Sequence, residues 1–303
     1  MKLKTKNLLT LAELFPKEFV ALIDYSIVLK KELKKGNKPL LKNKTLAMIF
    51  QKPSTRTRVS FETGMFQLGG HAINLSSQDM QLSRGETIED TAKTLSRYVD
   101  CIMARVYDHN LLEKLSNSSS VPVINGLSDS FHPCQILADF MTIKEKKGKF
   151  KGLKIAWIGD GNNVCNSMIY GCALSGAKMS IATPKGFEPD KSVLKESAKS
   201  VEIDLTTDPI KAIKDADVVV TDTYTSIHNN DQKRIKKFLP KYQINDSLMN
   251  HANSNAIFMH CLPAKRDYEV TSSVIDGPQS VVWDEAENRL HTQKALLASI
   301  IRA

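Results

Sequence analysis

Short apolar runs, each closed by a polar turn and followed by a stretch of helical spacing, recur along almost the whole chain. A strand that is apolar on both faces must be covered on both. A helix after each strand is the connection that covers it, so the alternation predicts largely parallel sheets flanked by helices. Residues 45–50 (TLAMIF), 71–76 (HAINLS), 101–106 (CIMARV) and 121–129 (VPVINGLSD) read as strands of a first α/β domain. Helical periodicity runs over 11–33, over 60–70 up to Gly69-Gly70, over 87–99 and over 136–148. A second α/β unit starts at 153–161 (LKIAWIGDG), a strand entering a glycine turn, followed by a helix over 163–176 and a strand at 177–184. Further strands are expected at 217–222, 256–262 and 280–285, and a closing helix over 287–303. The lysine-rich, glycine-containing segment 144–152 (KEKKGKFKG) is the natural place for a boundary.

The 303 residues, 42% hydrophobic and 25% charged, suffice for a core in each of two domains and are too apolar for a disordered chain. No apolar run approaches the length of a membrane span, so no membrane partner is expected. Five cysteines (101, 134, 165, 172, 261), odd in number and without Cys-x-x-Cys spacing, follow an N-terminus with no long apolar region, which points to a reducing cytoplasm. The 42 Lys+Arg against 33 Asp+Glu leave +9, a balance compatible with nucleic acid, an anionic membrane or acidic small molecules. The lysine clusters at 30–38, 144–152 and 233–241 lack interleaved aromatics or a nucleic-acid motif, and read as solvated faces. Only nine of the positive charges are arginines, at 56, 58, 84, 97, 105, 234, 266, 289 and 302, and their placement is the more informative signal.

Pro53-Ser54-Thr55-Arg56-Thr57-Arg58 stands between an apolar strand and a helix start. Unpaired N–H groups at a helix N-terminus, joined by hydroxyls and a guanidinium, make a cradle for a phosphate. Arg105 ends CIMARV, and ligands of open α/β sheets collect at the carboxyl ends of strands. His132 and Gln135 flank Pro133 at another helix start, spaced to donate together to a carbonyl, or else to act as a capping histidine beside a solvated glutamine. His260-Cys261 invites a thiol-hydrolase or zinc reading, but neighbours on an extended chain point to opposite faces and no His or Cys pair has ligand spacing, so no metal site is expected. Gly159-Asp160-Gly161-Asn162 lacks the third glycine of a dinucleotide turn, and the following strand ends without the acidic residue that would hold a ribose.

FQKPSTRTRVSFE (50–62), MARVY (103–107), HPCQ (132–135), HCLPA (260–264) and ENRLHT (287–292), taken together and in order, resemble the ornithine carbamoyltransferases over nearly the whole chain. The resemblance implies transfer of the carbamoyl group of carbamoyl phosphate to L-ornithine, giving L-citrulline and phosphate, with no metal or organic cofactor. It implies that Ser54, Thr55, Arg56, Thr57 and Arg105 hold the phosphate, and that His132, Gln135 and Arg289 join Thr55 and Arg105 around the carbamoyl oxygen. Asn166, Asp222 and Ser226 would hold the amino-acid end of ornithine in the loop that also carries Ile227, while Cys261 and Leu262 sit by the attacking δ-amine, next to the carbamoyl phosphate. Arg105, His132, Cys261 and Arg289 are the expected catalytic groups. It further implies a homotrimer with active sites at subunit interfaces, to which Gln81 of a neighbouring copy contributes. The expected division is 1–146 with 286–303 as the carbamoyl phosphate domain and 147–285 as the ornithine domain, the last helix returning to the first.

One departure stands out. The family's closing loop carries Ser-Met-Gly, whereas this chain reads Ser226-Ile227-His228, and histidine tolerates a positive φ less readily than glycine. Another amine, putrescine or N-acetylornithine, is therefore the alternative acceptor. Against putrescine, that family carries an extra helix beyond the position where this chain stops at Ala303. Aspartate carbamoyltransferases share the S-T-R-T-R element but resemble HPLPR where this chain has His260-Cys261-Leu262-Pro263.

Overall fold

The computed structural model describes residues 1–224 and 232–301. The chain divides into two compact units, one of Met1–Met141 with Glu287–Ala303 and one of Thr142–Ala286. Each is built on a parallel sheet.

The first unit opens with a single 3-10 turn, Leu11–Glu13, before α1 (Pro16–Glu32). The helix read as continuous over 11–33 is thus two pieces. Pro16 has no N–H to give to a preceding turn, but its fixed φ suits the first position of a new helix. β1 (Thr45–Phe50), α2 (Thr55–Gln67), β2 (His71–Ser76), α3 (Ile88–Leu95), β3 (Cys101–Arg105), α4 (His109–Ser118), β4 (Val123–Leu127) and the start of α5 (Pro133–Lys147) follow. The strands lie in the order β2-β1-β3-β4. Leu46, Ala47, Met48 and Cys101 to Ala104 on the two central strands are fully buried, as strands covered on both faces must be. Connections leave β1 and β3 toward opposite edges, so the chain reverses direction across the sheet between them. Their carboxyl ends, Phe50 and Arg105, are paired partners at that switch point.

The second unit runs β5 (Lys154–Ile158), α6 (Asn163–Ser175), β6 (Lys178–Ala182), α7 (Lys191–Ser197), β7 (Ile203–Thr206), α8 (Pro209–Ile213), β8 (Val218–Thr221), α9 (Gln232–Phe238), α10 (Asp246–Met249), β9 (Ile257–His260) and α11 (Ser272–Ile275). The order β7-β6-β5-β8-β9 places its own switch point between β5 and β8. The 159–162 turn at that point is fixed by packing: Gly159 has φ +135°, and a Cβ on Gly161 would come within 2.3 Å of the Pro189 nitrogen. The expected strand at 280–285 is absent. Ser280 makes one isolated bridge to Phe258, and the chain then enters α12 (Val282–Ile300), whose first turn carries Asp284 and Glu285, the charges a helix N-terminus favours. From Glu287 onward α12 belongs to the first unit, where Gln293 donates to Ser60 and Lys294 to Gln67.

Candidate active site

At the first switch point, α2 begins directly after β1. Ser54 caps it, its Oγ accepting from Thr57 N at 3.4 Å. Thr57 is buried one turn into the helix, and two guanidiniums meet on its hydroxyl: Arg105 Nη1 from the end of β3 and Arg289 Nη2 from α12 each donate to Oγ1 at 3.4 Å. Arg289 is itself braced, its Nη1 donating to Gln135 Oε1 at 2.7 Å and its Nε to Gln293 Oε1 at 3.1 Å. Gln135 passes the brace on, donating to Asp139 Oδ1 at 2.8 Å. Gln135 thereby braces Arg289 through its oxygen, while its NH2 gives one of its two protons to Asp139.

His132, buried at the start of α5, has its pKa driven well below the ordinary imidazole value of 6.5, first by burial and then by the positive charges of Arg289, Arg105 and Arg56. The ring is therefore neutral, with one N–H to donate. Arg56 is half-buried, whereas Arg58 points outward and pairs with Glu62 at 3.0 Å on the exposed side of α2. Lys52, which the motif reading passed over, is buried in the loop between β1 and α2 with its Nζ 4.2 Å from the centre of the Tyr107 ring. Burial and the neighbouring Arg105 lower its pKa to about 8, against the opposing pull of Asp129. Thr55 is exposed on the first turn of α2, and Gln81 is exposed on the 3-10 turn Gln81–Arg84. The result is a concentration of positive charge and N–H groups at the end of a parallel sheet, suited to a phosphate with a polar carbonyl attached.

The second unit's switch point gathers different chemistry. Asn162 caps α6, its Oδ1 accepting from Val164 N and Cys165 N, while its Nδ2 donates to Asp222 Oδ2 at 2.7 Å. The other oxygen of Asp222, just past β8, accepts from the Cys261 thiol at 3.2 Å. Asn166, one turn into α6, accepts from Asp190 N through its Oδ1 at 3.0 Å. Asp160 is paired with Arg234, which also donates to the Tyr224 carbonyl at 2.8 Å and lies over the Phe187 ring. Burial outweighs Arg234 and raises the Asp160 pKa to about 6. Leu262 follows Cys261 with φ +55°, so the chain here is not extended. His260 and Cys261, expected to diverge, nevertheless lie near one another: their ligand atoms and that of Asp222 are within 4.8 Å of one another.

Spacing along the chain could not reveal that trio, because Asp222 arrives from a different strand. Its atoms are engaged with protein groups, however. His260 Nδ1 accepts from Leu262 N at 2.9 Å, the thiol donates to Asp222, and Asp222 takes the Asn162 amide. Cys261 and Asp222 are thus bonded to each other, His260 is held by the backbone, and Asp222 brings a carboxylate to the group. Such a group suits an ammonium. Ser226 and Ile227, with His228, lie outside the described residues.

Two family models match the chain in tandem. Residues 6–145 match the aspartate/ornithine carbamoyltransferase carbamoyl-P binding domain, and 151–300 match the Asp/Orn binding domain of the same family. An ornithine carbamoyltransferase of Cenarchaeum symbiosum is 62% identical over 300 residues, covering 99% of each chain. One of Pyrococcus horikoshii is 55% identical over 312 residues, covering 99% of this chain and 97% of its own. Among solved structures, the ornithine carbamoyltransferase from Pyrococcus furiosus superposes with a TM-score of 0.94 at 53% identity, over 97% of this chain and 96% of that one. That from Thermus thermophilus gives 0.91 at 42% identity, over 98% and 99%.

Proposed function

The chain belongs to the aspartate/ornithine carbamoyltransferase family, and we propose that it carries the carbamoyl group of carbamoyl phosphate to the δ-amine of L-ornithine, giving L-citrulline and phosphate in arginine biosynthesis. One observation carries the reading: Arg105 and Arg289 converge on Thr57 at the first switch point, while Asp222 and Cys261 meet at the second. The first arrangement suits a phosphate ester of a carbonyl. The second suits an amino acid bearing a second ammonium.

Ser54, Thr55, Arg56, Thr57 and Arg105 take the phosphate oxygens, with Lys52 adding charge, and the N-terminus of α2 orients N–H groups to the same anion. Arg105, His132, Gln135 and Arg289, with Thr55, surround the carbamoyl oxygen, and Gln135 also holds Arg289 in place. On the acceptor side, Asn166, Asp222 and Ser226 receive the amino-acid end, with Ile227 in the same loop. Cys261 and the Leu262 carbonyl lie by the δ-amine, beside the carbamoyl phosphate. An alkylammonium with a pKa of about 10 has no lone pair, so the amine must first lose a proton, which a dry surrounding favours. The neutral nitrogen attacks the carbamoyl carbon, and the charge that develops on the oxygen meets donors already in place. The C–O bond to phosphate then breaks, phosphate departs with the electron pair, and the extra proton of the attacking nitrogen leaves with it, giving citrulline and hydrogen phosphate.

The working assembly is a cytoplasmic homotrimer in which Gln81 reaches a neighbour's phosphate site. The deciding experiment presents carbamoyl phosphate with L-ornithine, putrescine, N-acetylornithine and L-aspartate in turn. Ornithine should be the preferred acceptor by kcat/KM. Faster turnover of any of the other three overturns the assignment. Sedimentation of the active protein should give a trimer, and Gln81→Ala should raise the KM for carbamoyl phosphate without unfolding the chain.

A further inference from the structure

His260 sits beside the two residues assigned to the attacking amine, yet its ring is wholly buried, with no surface left for a substrate. Its bonds say what it does instead. The backbone N–H of Leu262 donates to His260 Nδ1 at 2.9 Å, which only an unprotonated nitrogen can accept. The single ring proton is therefore on Nε2. That nitrogen faces Glu269 Oε1 at 3.3 Å, near enough for attraction though outside hydrogen-bond geometry. Glu269 Oε1 also accepts from Lys265 N, and Glu285 Oε2 accepts from His260 N at 2.9 Å. Two buried carboxylates thus hold the turn on either side, and between them Leu262 is kept at φ +55°, a conformation a branched side chain does not choose unaided.

We propose that His260 is a positioning residue for the amine half-site. Its Nδ1, left as an acceptor by a ring proton on Nε2, latches the Leu262 N–H and so aims the Cys261 thiol and the Leu262 carbonyl. The proposal rests on the reading of that half-site as the ornithine side. In this arrangement His260 moves no proton in the reaction, because Nδ1 is occupied by a backbone N–H and Nε2 is buried beside a carboxylate, away from any substrate.

The test compares two replacements. His260→Leu leaves the Leu262 N–H without its acceptor, and one such buried bond is worth about tenfold, so the KM for ornithine should rise by about that factor or more while the KM for carbamoyl phosphate stays within about threefold. His260→Asn has no imidazole, but an asparagine oxygen accepts readily from the N–H two residues on, and it should recover most of what His260→Leu loses. If His260→Asn is as impaired as His260→Leu, or if the loss falls on kcat with a changed pH profile, the ring does more than hold a turn and the proposal fails. An unchanged ornithine KM in His260→Leu overturns it as well. Should His260→Leu fail to fold, 15N spectra of the whole enzyme labelled at its 7 histidines decide the matter, with His260→Asn identifying the resonance. A proton on Nε2 is expected, and one on Nδ1 refutes the latch. That spectrum stands apart from the acceptor assignment, which falls if the unmodified protein turns over another of the amines faster than ornithine.

Discussion

Replacing Arg289 by lysine keeps the charge and removes the fork. The guanidinium of Arg289 donates through three nitrogens to three side chains: Gln293 at 3.1 Å, Gln135 at 2.7 Å and Thr57 at 3.4 Å. A lysine ammonium is a point donor on a longer flexible stem and cannot meet partners on three elements at once. At least two of the three bonds are lost. Hydrogen bonds from a charged donor contribute about 1.5 kcal/mol or more each, so the loss of positioning comes to about 3 kcal/mol. At about 1.4 kcal/mol per decade that is about two orders of magnitude in kcat/KM for carbamoyl phosphate. The assay is steady-state citrulline formation with carbamoyl phosphate varied at saturating ornithine, alongside a thermal melt to show that the variant is folded. Arg289→Lys within about threefold of the parent enzyme, melting at the same temperature, would refute the view that the braced fork and not the charge alone makes the site.

Three further outcomes follow from the same geometry. Lys52, with a pKa lowered to about 8, loses its charge as pH rises through that value, so the KM for carbamoyl phosphate should climb there, and Lys52→Arg should move that alkaline limb upward; an identical limb in both proteins counts against a role for Lys52. His132 has a folded-state pKa well below 6.5, so below that pH the unfolded chain binds the proton first: stability is full above 6.5 and falls as pH drops, by up to about 1.4 kcal/mol per pH unit. His132→Gln should therefore lose less Tm than the parent between about pH 7.5 and pH 5.5, and an equal loss in both means that His132 is not held neutral. Cys261→Ala removes the donor to Asp222 Oδ1 and should raise the ornithine KM about tenfold while leaving carbamoyl phosphate binding intact, as equilibrium dialysis with carbamoyl phosphate alone would check.

Strands buried on both faces wrote themselves plainly into the chain: TLAMIF, CIMAR and KIAWI are runs in which every second-face position is apolar too. β7 did not, since it lies at the sheet edge, where Asp204 can face water, and its four residues carry little apolar signal. The misread strand at 280–285 shows the opposite fault, because Val281 and Val282 are apolar for reasons of burial that helix and strand share. At the site, the positions at a helix cap, a strand end or a helix start were legible, as Ser54, Arg105 and His132 show. The braces were not. Gln293 and Asp139 show nothing in the sequence beyond polar residues on a helix, and their part depends on which elements the fold brings together.

The arginine braced in this way reaches the first unit on a helix made after the whole of the second unit. A ribosome that has released Met1–Met141 must still add the whole of Thr142–Ala286 before Glu287 and the residues after it appear. At ordinary elongation rates that is a delay on the order of ten seconds. The second unit, continuous in sequence, is complete only as that interval ends. The first waits with Thr57, Ser60 and Gln135 lacking their partners on α12, so its cluster of guanidinium and hydroxyl groups is completed only after the second unit has been made.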